Sequence, residues 1–158
     1  MKTGHNIAMG LRAAYLSMHR QTNFRLAPFG MTADQFVLLA LLSEQDGITQ
    51  QQLAYRASSD PNTIRAMLVL LENCRLVQRR RHPTDGRALI ITLTRKGRKI
   101  YTKLSAAIKP LQNRLSSPFQ AKEIRTLVSL LGRVSDAMSK QDSHNNQRQL
   151  KKHNHRKG

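Results

Sequence analysis

Val77-Gln78-Arg79-Arg80-Arg81-His82-Pro83-Thr84-Asp85-Gly86-Arg87-Ala88-Leu89-Ile90-Ile91-Thr92-Leu93 is the stretch that decides the fold. Strand-forming residues stand at its two ends and Pro83, Thr84, Asp85 and Gly86 at its middle, which predicts a β-hairpin with a polar tip. In alternating strands Arg79 and Arg81 share one face and Arg80 takes the other. Arg87 sits beside the tip, where a guanidinium suits the strong negative potential of a narrow minor groove, and Asp85 is placed to orient it.

The surrounding charge agrees with that reading. Between Arg75 and Lys103 ten Lys or Arg stand against the single acid Asp85, a local charge of +9 within a chain of 158 residues and net charge +18. A basic field so concentrated draws polyanions by counterion release and steered association, so nucleic acid is the leading partner and an anionic membrane surface the lesser one. A hydrophobic content of 39% supports one modest core. Phe36 to Leu42, the longest apolar run, has seven residues against the ~20 that span a bilayer. Arg12 interrupts the apolar N-terminal residues, which argues against a signal peptide. Cys74 is the sole cysteine, so no intramolecular disulfide framework exists and a reducing, cytoplasmic location, at the nucleoid, is expected.

Outward from the hairpin the chain reads as helices. Ile7, Leu11, Ala14, Tyr15, Met18, Thr22 and Leu26 give a helical stripe that ends near Pro28 to Gly30. Thr32-Ala33-Asp34-Gln35 is a capping box opening a second helix to about Glu44, with Asp46-Gly47 as its stop. Thr49-Gln50-Gln51-Gln52 repeats the box before a short helix to about Ala57, and Asp60-Pro61 starts another carrying Ile64, Met67, Leu68 and Leu71 on one face. Two short helices joined through Ser58-Ser59-Asp60 predict a helix-turn-helix. Beyond the hairpin, Thr94 caps a long helix with Ile100, Leu104, Ala107, Ile108, Leu111 and Leu115 inward, and Pro110 predicts a kink or break within it. Ser117-Pro118-Phe119-Gln120 opens a last helix with Ile124, Leu127, Val128, Leu131, Val134 and Met138 in register.

The expected class is mainly α with a small β-hairpin wing, a winged helix-turn-helix. Its organisation is a dimerisation helix over 1–30, the DNA-binding winged domain over 31–94, C-terminal dimerisation helices over 95–140 and a basic, disordered tail over 141–158. The terminal helices and the long fifth helix carry more apolar stripe than one small winged domain covers, so a homodimer is expected. In such a unit the second helix lies in the major groove of double-stranded DNA with its N-terminal residues at base edges. That makes Asn62, Thr63 and Arg65 base- or phosphate-contacting candidates, with Gln50 and Pro61 at the two helix starts beside them and Arg79, Arg80, Arg81, Asp85 and Arg87 from the wing. The rival reading is a non-specific nucleic-acid binder, nucleoid-associated or RNA-binding. No phosphate-binding glycine loop, metal-ligand spacing or His-Glu-x-x-His pattern supports an enzyme, a metal site or a cofactor. His144, His153 and His155 read as part of the solubilising tail.

Met31-Thr32-Ala33-Asp34-Gln35-Phe36, Leu71-Glu72, Leu76-Val77-Gln78-Arg79, Asp85-Gly86-Arg87-Ala88 and Leu93-Thr94-Arg95-Lys96-Gly97-Arg98 follow one another in an order that resembles the MarR family of bacterial winged-helix regulators. The resemblance implies a homodimer whose terminal helices intertwine, each subunit sending a recognition helix into the major groove and a wing into the minor groove. It also implies repression at palindromic operators, relieved by a small, often aromatic or anionic ligand. Asp85 and Arg87 match the family's wing motif, and Thr63 and Ile64 match its early recognition-helix positions. Arg65-Ala66 stands where many members have Thr-Arg, and Arg75 stands where a glycine usually follows the recognition helix. An effector pocket would be lined by Tyr15, His19 and Phe36. Cys74 ends the recognition helix rather than lying near the N-terminal helix as sensor cysteines do, so it reads as a small core or boundary residue.

Overall fold

In the computed structural model the backbone is described for residues 2–154 and the side chains for residues 2–139. Helix α1 (Thr3–Leu26) runs into a 3-10 turn (Ala27–Phe29), followed by α2 (Ala33–Glu44), β1 (Ile48–Thr49), α3 (Gln50–Arg56) and α4 (Pro61–Asn73). The hairpin strands β2 (Val77–Arg81) and β3 (Leu89–Leu93) come next, then α5 (Arg95–Ser116) and α6 (Ala121–Asn154). The chain divides into two compact units, one ending at Gln112 and the other starting at Asn113. Among the described residues no single helix is long and apolar enough to cross a membrane.

Local signals account for the boundaries. Thr32 and Gln35 satisfy each other's backbone N–H groups (3.2 and 3.0 Å), and Thr49 and Gln52 do the same (3.1 and 2.9 Å), so both capping boxes are complete. Helix α4 ends in a Schellman turn: Leu76 N–H donates to Leu71 O (2.9 Å) and Arg75 N–H to Glu72 O (2.8 Å). That turn needs a left-handed residue, and Arg75 takes it at φ 59° where glycine would cost less. Ser58 (φ 50°) closes α3 in the same way, with Ser59 N–H on Ala54 O and Ser58 N–H on Tyr55 O.

The first unit is built on Leu26, Leu38, Leu39, Leu42, Leu53, Ile64, Leu68, Leu71, Val77, Ile91 and Leu104, all essentially inaccessible to solvent, each contributing roughly 1.5–3 kcal/mol by burial. The sheet adds a strand to the expected hairpin. β3 is central, pairing antiparallel with β2 (Val77 opposite Leu93, Arg81 opposite Leu89) and with β1 (Ile48 opposite Ile91). Asp46 locks this junction by accepting Leu93 N–H (2.9 Å) and pairing with Arg98 of α5 (2.5 Å). Thr94 caps α5, accepting Gly97 N–H (2.9 Å) while donating to Arg75 O (2.7 Å).

Of the kink or break expected at Pro110, the break is absent: α5 continues through it as one helix. Proline removes one i→i−4 bond and crowds the carbonyl before it, but Leu104, Ile108 and Leu111 bury the inner face on both sides of the exposed Pro110. Leu115, expected on that inner face, is exposed. In the second unit α6 is assigned to Asn154, and Gln120 N–H is capped by Glu123 (2.8 Å). The expectation of a disordered basic tail over 141–158, with His144, His153 and His155, falls outside the described side chains.

Candidate nucleic-acid interface

The site begins with a carboxylate. Asp60 Oδ1 accepts the N–H groups of Asn62 (3.0 Å) and Thr63 (2.9 Å), and Oδ2 accepts the Thr63 hydroxyl. The Thr63 hydroxyl first, and the amides with it, hold the Asp60 carboxyl below the usual carboxylate range, because each favours the charged form. With Pro61 at the first helical position, whose missing N–H costs nothing there, α4 starts rigidly and keeps Pro61, Asn62, Thr63 and Arg65 exposed above buried Ile64 and Leu68. The Thr63 hydroxyl is thereby committed as a donor to Asp60. What Thr63 offers a nucleic acid is its methyl group and the hydroxyl's acceptor lone pairs.

The hairpin supplies the opposite wall. The strand register sets Arg79 opposite Ile91 and Arg81 opposite Leu89, on the face shared with buried Val77, and Arg80 opposite Ile90 on the other. The alternation expected of the three arginines therefore holds. Its shared face points toward α4, however, and there the half-buried Arg79 donates from Nε to Glu72 Oε2 (2.8 Å). Arg80 bonds Gln78 (3.3 Å), while the guanidinium groups of Arg65, Arg81 and Arg87 have no partner among the described residues.

At the tip, His82 N–H donates to Ala88 O (2.9 Å). The His82 ring accepts, at Nδ1, the N–H groups of Thr84 (3.2 Å) and Asp85 (3.1 Å). Pro83 has no N–H, so these are the first two amides after that of His82 itself, and Nδ1 gathers both. Asp85 does not engage the Arg87 guanidinium as expected. Its Oδ1 accepts the Arg87 backbone N–H (3.1 Å), a local turn bond that sets the backbone and leaves the side chain to reach outward.

Between these walls lies a groove of about 600 Å³ that gathers Gln50, Pro61, Arg65, Arg79, Asp85 and Arg87, together with Thr49, Gln51, Ala88 and Leu89. Residues from β1, α3, α4, β2, the hairpin tip and β3, between positions 49 and 89, thus line one concave surface. Asn62, Thr63, Arg80 and Arg81 lie outside its lining. With Arg79 held by Glu72, the unpaired guanidinium groups of Arg65 and Arg87 are the ones this groove presents, and arginine meets phosphodiester oxygens bidentately. Glu72 and His82 are the residues that reading the sequence overlooked. His82 was legible in principle, as an acceptor side chain two and three residues before free amides; Glu72 was not, because no periodicity links a helix position to a strand position.

The three pocket candidates form two arrangements. Tyr15 and His19 lie ring to ring at 5.3 Å, and His19 Nε2 is 3.5 Å from Asp34 Oδ2, with Nδ1 3.1 Å from Asn23 Nδ2. Asn23 Oδ1 in turn accepts Ala33 N–H (2.7 Å), tying α1 to the start of α2. Phe36 instead stacks on Tyr101 of α5 at 5.9 Å, against the core. Cys74 is exposed at the α4 C-cap, and its carbonyl accepts from Lys96 Nζ (2.9 Å). No group of three or more His, Cys, Asp or Glu among the described residues is placed to hold a metal ion.

A helix-turn-helix capped at each turn, followed by an arginine-bearing hairpin, defines the chain as a winged helix-turn-helix DNA-binding protein. The model of the MarR family matches residues 31–89. The HTH-type transcriptional repressor Rv2887 of Mycobacterium tuberculosis is 32% identical over 111 residues, covering 68% of this chain and 79% of that one. Among solved structures, a mutant MarR from Escherichia coli complexed with operator DNA superposes with a TM-score of 0.76 at 26% identity, over 84% of this chain and 96% of that one. The PcaV regulator from Streptomyces coelicolor, in complex with its natural ligand, superposes with a TM-score of 0.69 at 25% identity, over 83% and 90%. This chain belongs to the MarR family and is a MarR-type transcriptional regulator.

Proposed function

We propose that the chain acts in the cytoplasm as a homodimeric repressor that reads a pseudo-palindromic operator, with α4 in the major groove and the wing in the minor groove. The observation that carries this is the convergence of Gln50, Pro61, Arg65, Arg79, Asp85 and Arg87 on one groove beside the exposed first turn of α4. Asn62 and Arg65 supply the side chains that pair adenine and guanine edges, and Arg81 and Arg87 supply charge to the minor groove and backbone. The relatives named repressors and the E. coli protein held on operator DNA support the direction of control.

Dimerisation is supported by apolar side chains left at the surface of each unit. Ile7, Met9, Tyr15, Met18 and Phe24 are exposed on α1, and Leu127, Val128, Leu130, Leu131 and Met138 on α6. Helices with this much exposed apolar surface are covered by a partner in soluble assemblies. The relative solved with its natural ligand supports a ligand-responsive regulator; the proposed effector is a small aromatic or anionic molecule that releases the operator, with Tyr15, His19 and Phe36 as the proposed lining. Footprinting on genomic DNA at moderate salt tests the reading. The expected result is a protected pseudo-palindrome; protection without a preferred site, falling steeply with salt, rejects it in favour of a non-specific binder.

A further inference from the structure

Helix α5 carries Arg95, Lys96, Arg98, Lys99, Lys103, Lys109 and Arg114 and not one acid. Its inner face is filled by Gly97, Leu104, Ile108 and Leu111, which turns Arg95, Lys99, Lys103 and Lys109 outward, all exposed. Two neighbouring cations are accounted for, Arg98 by Asp46 and Lys96 by the Cys74 carbonyl. Arg95, Lys99, Lys103 and Lys109 have no partner among the described residues. The first unit has no acid to spare for them: Asp34 faces His19, Glu44 holds Arg56, Asp46 holds Arg98, Asp60 caps α4, Glu72 holds Arg79 and Asp85 takes the Arg87 amide.

This arrangement works against the helix that bears it. Arg95, Lys96 and Arg98 stand in the first turn, where the macrodipole favours acids. Arg95, Lys99 and Lys103 repeat at i, i+4 and i+8, the spacing at which like charges repel along a helix. A bound polyanion would reverse both penalties. Arg95 to Lys109 spans about 21 Å of helix at 1.5 Å per residue, and the outward residues among the lysines, Thr102 and Ala106, include none of the aromatic or large apolar side chains that anchor a protein partner. A rigid row of point charges without shape or apolar content matches a phosphate backbone.

The row is remote from the groove. Helix α5 starts at the base of the hairpin and meets the C-terminal end of α4, through Lys96 on the Cys74 carbonyl and Thr94 on the Arg75 carbonyl. The reading end of α4 is 13 residues away, about 20 Å along its axis. We propose that Arg95, Lys99, Lys103 and Lys109 form a second, sequence-independent seat for duplex DNA, so that each chain holds one duplex segment in the groove and another on α5.

The test uses the full chain and a labelled random-sequence duplex at low salt. Wild type is compared with a ridge variant, Arg95→Gln, Lys99→Gln and Lys103→Gln, and a groove variant, Arg65→Gln and Arg87→Gln. Glutamine keeps helix propensity near that of Lys and Arg, and circular dichroism checks the fold. The ridge variant is expected to bind half as many duplexes per chain as wild type, and its log–log salt slope to be shallower by about 2–3. The groove variant is expected to keep binding through α5. Unchanged stoichiometry in the ridge variant overturns the proposal, including when the slope falls, since the ridge then touches the same duplex as the groove. Retained duplex binding with loss of polyglutamate binding also overturns it and marks α5 as a seat for an acidic protein. An unaffected groove variant counts against the groove reading alone.

Discussion

Each arginine of the hairpin does what its nearest hydrogen-bond partner leaves it free to do. Glu72 draws Arg79 back against α4, whereas Arg87 has its backbone fixed by Asp85 and its guanidinium unpaired. Arg87→Ala is therefore expected to weaken operator binding for all sequences and lower the salt slope by about 1, while Asn62→Ala relaxes discrimination at one base pair by about 1–3 kcal/mol; competition with base-substituted duplexes separates the two. His82 carries a further expectation. His82→Ala frees the Thr84 and Asp85 amides and loosens the tip, while His82→Asn keeps an acceptor and restores it, read as amide exchange at Thr84 and Asp85 and as operator affinity. Equal exchange in both variants would deny His82 this role. Asp60 sets a pH dependence. Its folded carboxyl lies below the ordinary range, so its stabilisation is present above the unfolded value and is lost as pH falls through the depressed one. The stability gap between wild type and Asp60→Ala should be constant at neutral pH and close only in strong acid. These residues were legible to different depths: Asp85-Gly86-Arg87 announced a wing, but the diversion of the Thr63 hydroxyl and of Arg79 depends on partners that no local pattern reveals.

Elements were most legible where their signal is local. Both capping boxes, the Asp60-Pro61 start and the Val77 to Leu93 pairing form as the side chains dictate. β1 escaped notice because two residues carry no periodicity, and only its pairing with β3 makes it a strand. The left-handed Arg75 shows tertiary packing overriding residue preference, since the Schellman turn it closes brings Leu76 into the core. That turn also explains Gly97, where an added Cβ would lie 2.0 Å from Leu76 O. Gly97→Ala must push the hairpin base from α5, at a cost of about 1–3 kcal/mol, measured as a lowered denaturation midpoint with an unchanged m-value. A neutral outcome would mean that α5 shifts freely against β2.

At the scale of the whole molecule, a net charge of +18 is compatible with any polyanion binder, and composition alone left the specific and non-specific readings standing. The proposed specific reading rests on how the charge is distributed. Unpaired arginines flank a rigid helix start in one groove, while the outer face of α5 repeats its charges with no base-reading chemistry. In the proposed homodimer a second copy covers the apolar surfaces left on α1 and α6, and two copies related by a twofold axis would impose a spacing on what they read. Selection of bound duplexes from a random pool at moderate salt tests this most directly. The account predicts enrichment of an inverted repeat whose half-sites lie about one helical turn, 10–10.5 bp, apart, with the enriched bases changed by Asn62→Ala; a pool that stays random after repeated rounds would contradict it.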